Sequence, residues 1–271
     1  MDVAGVLADL QDGQGELLVI AAHPDDDVIG AGALMARLPR VRVLYVTDGA
    51  PRDGRDARAH GFADVAAYAA ARRSEAESAV AFAGLPPERL AWLGVADQQA
   101  TFSLDRLAMA LREAIAALQP RVVLTHAYEG GHPDHDATAF AVHAALAPMP
   151  AAVGRPALWE FAGYRASPDG GRANDFLPAA DCPPVTFELD ARARRLKTAM
   201  FACHASQADV LAQFSTAREQ VRRAPHYDFS RPPHAGALLY ERPGSGAEWG
   251  IDGARWRREA AAARERLTGA V

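Results

Sequence analysis

Residues 17–32 read LLVIAAHPDDDVIGAG. An apolar run ends in a histidine, a proline and three consecutive aspartates, and glycines follow. Glu16 to Ala22 has the composition of a short strand buried on both faces. Val28 to Leu38 has helical spacing, with Ile29, Leu34 and Leu38 on one face and Pro39 closing it. Val41 to Thr47 (VRVLYVT) reads as a second strand. The chain therefore begins its core with a β-α-β unit. Three adjacent carboxylates repel one another and are costly to desolvate. Something at the end of the first strand must offset that cost.

Strands and helices continue to alternate. The pattern predicts a polar loop over 49–62, a helix over 63–83, a strand over 89–93, a helix over 104–118, a strand over 121–125 and a helix over 134–146. This is the signature of an α/β fold, a mostly parallel sheet with helices on both faces. After Pro148 the order loosens. Strands are expected over 158–164, 185–189 and 237–242, and helices over 190–203, 209–222 and 254–267. No repeat or long linker divides the chain. A single domain over 1–271 is expected, with its core at about 16–150 and a C-terminal elaboration over 151–271.

The 271 residues are 49% hydrophobic and 23% charged, ordinary for a globular protein. A net charge of -5 argues against a nucleic-acid partner. Cys182 and Cys203 form no framework and suit a reducing interior. The N-terminus lacks a basic signal region, and no apolar run reaches membrane-spanning length. A cytoplasmic location is expected, and nothing in the sequence fixes the oligomeric state.

In open α/β sheets, sites form beyond the carboxyl ends of the strands. Two chemically loaded segments fall there: His23-Pro24-Asp25-Asp26-Asp27 and His132-Pro133-Asp134-His135. Either alone would read as a capped turn. Together they hold three histidines and four aspartates, and a divalent cation between them offsets the crowded charge. Imidazole with carboxylate suits zinc or another late first-row metal. Three protein ligands leave a position for water, which a zinc ion activates near neutral pH. Of Asp25 and Asp26, one can bind metal while the other holds the attacking water as general base. Of His132 and His135, one can be a ligand and the other can face the reacting carbonyl. His126 is read as supporting or structural. His60, His143, His226 and His234 are read as ordinary histidines, and Asp48 as either a cleft or a turn residue.

These residues resemble the PIG-L/LmbE-like zinc de-N-acetylases. Ala22 to Asp27 (AHPDDD) is similar to the family's AHPDDE signature, and His132 to His135 matches its HPDH. Val46-Thr47-Asp48-Gly49 resembles its TDG turn, Arg72 and Glu75 its R-x-x-E helix, and Lys197 with Ala202-Cys203-His204-Ala205-Ser206-Gln207 its K…AHxSQ segment. The resemblance spans roughly 16–210. It implies a Rossmann-like fold and hydrolysis of an N-acetyl or other N-acyl group, usually on an N-acetylglucosamine unit of a small sugar or glycoconjugate. It implies zinc ligands His23, Asp26 and His135, with iron(II) the other candidate metal. It also implies Asp25 as base, His132 as oxyanion donor or acid, and Asp134 orienting His132. The one departure is Asp27, a methylene shorter than the family's glutamate.

Other readings explain less. An amidase acting on a non-sugar or thiol-conjugate amide would use the same residues. A dinucleotide site fits poorly, because Met35 stands where Gly30-x-Gly32 needs a third small residue and the aspartates sit where pyrophosphate would bind. A non-catalytic sugar binder would not need a full set of ligand, base and acid. The loop 49–62, with Arg52, Arg55 and Arg58, and the segment 163–182 are expected to line the cleft. Those arginines would either meet an anion or lie in solvent.

Overall fold

The computed structural model describes residues 3–149, 154–167, 172–244 and 246–269. A helix with no expectation behind it, α1 (Val3–Gln11), comes first. Strand β1 (Leu17–Ala21), helix α2 (Asp26–Met35) and strand β2 (Val41–Pro51) then make the expected β-α-β opening. Helices α3 (Arg55–Ala59) and α4 (Val65–Ala81) lead to β3 (Leu90–Asp97). Helix α5 (Leu104–Leu118), strand β4 (Val122–His126), helix α6 (Pro133–Leu146) and strand β5 (Ala157–Phe161) follow.

The chain starts in the middle of the sheet, runs out through β2 to β3, and crosses back to β4 and β5 on the other side of β1. All five strands are parallel. Leu17 faces Val41 on β2 and Val122 on β4. The crossover makes the gap between β1 and β4 a topological switch point, where ligands bind in such sheets.

Burial explains why β1 carries no polar residue. Leu17, Val19 and Ala21 pack into one core layer with α2 and α4, while Leu18 and Ile20 pack into the other with α5 and α6. Each fully buried Leu or Ile stabilises the fold by about 1.5–3 kcal/mol. A one-residue slip would exchange the two rows, so the same residues fix the register.

The C-terminal part completes the same sheet. A two-stranded ribbon, β6 (Arg165–Ala166) and β7 (Arg172–Ala173), precedes β8 (Val185–Glu188), α7 (Ala191–Cys203) and α8 (Ala208–Leu211). Strand β9 (Arg218–Arg223) lies antiparallel between β5 and β8, and α9 (Gly253–Gly269) closes the second layer beside α5 and α6. Among the described residues no helix is long and apolar enough to cross a membrane.

Three expected elements are corrected. The expected loop over 49–62 is the end of β2 followed by α3. The expected helix over 209–222 is α8 and then β9. Strand β9 was hidden because two of its three buried residues are charged: Glu219 pairs with Lys197 on α7 at 2.8 Å, and Arg222 with Glu160 on β5 at 3.0 Å. The expected strand over 237–242 is a 3₁₀ turn, Leu239–Glu241. Its apolar residues are buried because the loops fold over the sheet, not because they join it. Of the segment 163–182, residues 168–171 lie outside the described residues.

Candidate metal centre and active site

The loops leaving β1 and β4 meet at the switch point. The β1 loop turns at once into α2, so Asp26 is already helical and its neighbour Asp25 points elsewhere. The β4 loop ends at His132, the N-cap of α6, whose Nδ1 accepts the N–H of Asp134 at 3.1 Å. His135 follows within the first turn.

His23, Asp26 and His135 come together. His23 Nδ1 lies 3.1 Å from Asp26 Oδ2 and 3.2 Å from His135 Nε2. His135 Nε2 lies 3.2 Å from Asp26 Oδ1. Donors on one tetrahedral zinc stand about 3.3 Å apart at bond lengths of about 2.0–2.1 Å. The two imidazole nitrogens therefore have the spacing of atoms that share a small cation, and Asp26 meets each of them with a different oxygen.

Three neighbouring groupings also gather donors: His132 with His23 and His135, His126 with Asp26 and His135, and Asp97 and Asp134 with His23. Hydrogen bonds separate them from the first. His126 Nε2 accepts the N–H of Ala22 at 2.9 Å, and its ring stacks on His135 with centroids 4.1 Å apart. Its lone pair is spent inside the protein, in keeping with a supporting histidine. Both oxygens of Asp134 take backbone N–H groups, from Gln98 at 2.6 Å and Ala100 at 3.1 Å. Asp97 takes His23 Nε2 at 3.0 Å. That bond orients the His23 ring and leaves Nδ1 to face the trio. The Asp134 carboxylate does not bond His132; the link between them is the N-cap bond, because the side chain turns back to the end of β3.

Asp25 is buried beside the trio. Arg72 on α4 donates to Asp25 Oδ2 at 3.2 Å and to Pro24 O at 3.1 Å, and to Gly49 O at 3.3 Å. Gly49, near the end of β2, has φ +64, and a Cβ there would run into Pro24 and the Arg72 guanidinium. Thr47-Asp48-Gly49 is thus the seat of Arg72. The Asp48 carboxylate takes the turn role, accepting the N–H of Ala50 at 3.1 Å and bonding Arg52. The other weak motifs are scaffold. Glu75 holds the Ser206 N–H at 2.9 Å and its hydroxyl at 2.6 Å. Lys197 donates to Ile29 O at 2.7 Å, inside α2.

The electrostatics divide the two aspartates. Burial pushes the Asp25 carboxyl up to about 7, with Arg72 opposing it. Burial also penalises the Asp26 anion, but His135 and His126 outweigh it and hold Asp26 well below the usual carboxylate range. Burial, reinforced by His23 and His135, keeps His132 well below the usual imidazole value. His132 is therefore neutral, and with Nδ1 accepting a proton donor its own proton sits on Nε2. Asp27, fully buried with the Tyr45 hydroxyl beside it, is raised by burial to about 7.

His23, Asp25, Asp26, Arg72, Asp97 and His132 line a cavity of about 230 Å³. The sequence reading missed several of its walls. Asp97 was discoverable, since it ends a strand as His23 nearly does. Trp249, Glu248 and Asp56 carried no local signal. Trp249 packs against His132 with centroids 4.5 Å apart, and Tyr164 meets His135 edge-on at 5.0 Å. Gly246, at φ +132, allows the chain to pass over the Trp249 ring, where a Cβ would clash.

Residues 18–146 match the model of the PIG-L family, described as GlcNAc-PI de-N-acetylase. No curated protein matches the chain. Among solved structures, the chain is similar to the A40926 pseudoaglycone deacetylase Dbv21, with TM-score 0.60 and 22% identity over 79% of this chain and 98% of the other. It is also similar to the N,N′-diacetylchitobiose deacetylase of Pyrococcus horikoshii, with TM-score 0.51 and 22% identity over 77% and 78%. GalB, the 4-carboxy-2-hydroxymuconate hydratase of Pseudomonas putida KT2440, shares the fold at TM-score 0.50 and 19% identity over 79% and 98%, so the fold alone does not fix the chemistry. The family's match to the sheet core, found where both His-Pro-Asp segments converge, bears out the resemblance: residues 18–146 are similar to the PIG-L family.

Proposed function

We propose that the protein is a zinc-dependent hydrolase that removes the N-acetyl group of an N-acetylglucosamine-type small molecule or glycoconjugate, working in the cytoplasm. The observation that carries this reading is the mutual 3.1–3.2 Å spacing of His23, Asp26 and His135 with Asp25 alongside. His23 Nδ1, Asp26 and His135 Nε2 are the ligands, and iron(II) suits the same donors. A metal held there polarises the acetamide carbonyl and acidifies water.

The chain's own groups supply the rest. Arg72 occupies Asp25 Oδ2 and leaves Oδ1 to take the proton of the attacking water as its oxygen bonds the acyl carbon. His132 Nε2–H donates to the oxygen on which charge develops. Asp134 positions His132 through its backbone N–H and ties the α6 turn to the end of β3. The C–N bond then breaks, the amine leaves with a proton, and acetate is released.

Metal analysis with a fluorescamine assay of released amine tests the reading. Zinc-loaded protein is expected to free amine from at least one compound in a panel of N-acetylglucosaminyl sugars, lipids, thiols and glycopeptides, and to stop after chelation. Fully loaded protein that frees no amine from any of them overturns it. Turnover confined to amides outside the sugars favours the amidase reading.

A further inference from the structure

Resting on the hydrolase reading, we propose that the cleft selects a neutral or cationic amino sugar and discriminates against a substrate with phosphate or carboxylate near the acetamide. The inference comes from where the charges go. Asp56 and Glu248 line the mouth of the cleft, and neither forms an ion pair among the described residues. Among the described residues Arg72 is the one arginine in the lining, and Asp25 holds it.

The loop arginines that could have met an anion are absent from the cavity lining and turn to nearby acceptors instead. Arg52 bonds Asp48, Arg55 lies 3.1 Å from Asp53, and Arg58 donates to Asp53 O at 3.4 Å. The chain has a single lysine, Lys197, and it is buried against Glu219 behind the sheet. Counting the carboxylates of the lining, Asp25, Asp26, Asp97, Asp56 and Glu248, against Arg72 and a divalent ion leaves the cleft negative.

The cavity of about 230 Å³ is smaller than the roughly 300–1,000 Å³ typical of small-molecule pockets. It takes the reacting sugar and leaves a second unit at the mouth. There the Glu248 carboxylate, unpaired among the described residues, favours an ammonium group over an anion.

The test uses zinc-loaded protein and two measurements. Calorimetry compares the diamine of chitobiose with glucosamine-6-phosphate. Kinetics compares N,N′-diacetylchitobiose, its singly deacetylated cation and N-acetylglucosamine-1-phosphate. The diamine is expected to bind at least about tenfold more tightly than the phosphate at low ionic strength, with the gap narrowing in high salt. Glu248→Gln and Asp56→Asn should each shrink that ratio severalfold. Equal binding of the two ligands, or a ratio that neither substitution moves, overturns the inference. Selective binding of the diamine without hydrolysis of any acetamide would sink the hydrolase reading and leave the charge selection standing. Hydrolysis with no charge ranking would do the reverse.

Discussion

Replacing Asp25 separates its chemical task from its structural one. The Oδ2 oxygen is an acceptor for Arg72 at 3.2 Å, while Oδ1 is the proposed base. Asp25→Asn keeps an oxygen for Arg72 but cannot take a proton near neutral pH. A positioned general base contributes about 10²–10⁴ in rate, or about 3–5 kcal/mol. Asp25→Ala removes the same base and also leaves a buried guanidinium facing only the carbonyls of Pro24 and Gly49. Breaking a buried pair in this way costs about 3–5 kcal/mol. At about 2–4 °C per kcal/mol, the melting temperature should fall by on the order of 10 °C. Both variants should therefore lose amine release to a similar extent, and only the alanine should lose much stability. Neither should lose zinc. An asparagine variant with parent kcat/KM would remove Asp25 as the base. Zinc lost from both variants would move it into the ligand set.

Three further outcomes are expected. His135→Ala should emerge largely without zinc, whereas His132→Ala should carry zinc normally with kcat lowered about 10²–10³-fold, as for a lost oxyanion donor; metal analysis and steady-state kinetics separate the two. Lys197→Met strands the Glu219 carboxylate, although the N–H groups of Ala33 and Leu34 still serve it at 2.8 and 2.9 Å, and should cost about 3 kcal/mol in urea unfolding; an unchanged midpoint would show that the pair is dispensable. Asp27 carries a folded pKa of about 7, above its unfolded value of about 3.9, so it is harmless below about pH 4 and subtracts stability as pH rises through 7. Asp27→Asn should therefore match the parent at pH 4 and be more stable at pH 8, by up to about 4 kcal/mol; equal stability at both values would refute the linkage.

The parallel core was legible because β1, β2 and β4 are apolar runs closed by polar, glycine-containing turns. The metal candidates were legible because both His-Pro-Asp segments follow strands, and adjacent strands bring their ends together. Period and composition failed at β9. Glu219 and Arg222 are buried only because Lys197, Glu160 and Glu129 meet them from distant parts of the chain. No window around 218–223 contains those partners. The same limit hid Trp249 and Glu248, which reach the cleft from a C-terminal turn. It also hid the side-chain link between Asp134 and the end of β3, since the HPDH spacing suggested a shorter path to His132.

Lys197 is enclosed on α7 with its ammonium spent on Glu219 and Ile29. The native fold thus presents no exposed lysine amine. Reagents that count free amines will see little of the enzyme and nearly all of any product. Acylation at Lys197 becomes a marker of global opening, because the group must leave the interior before a reagent can reach it.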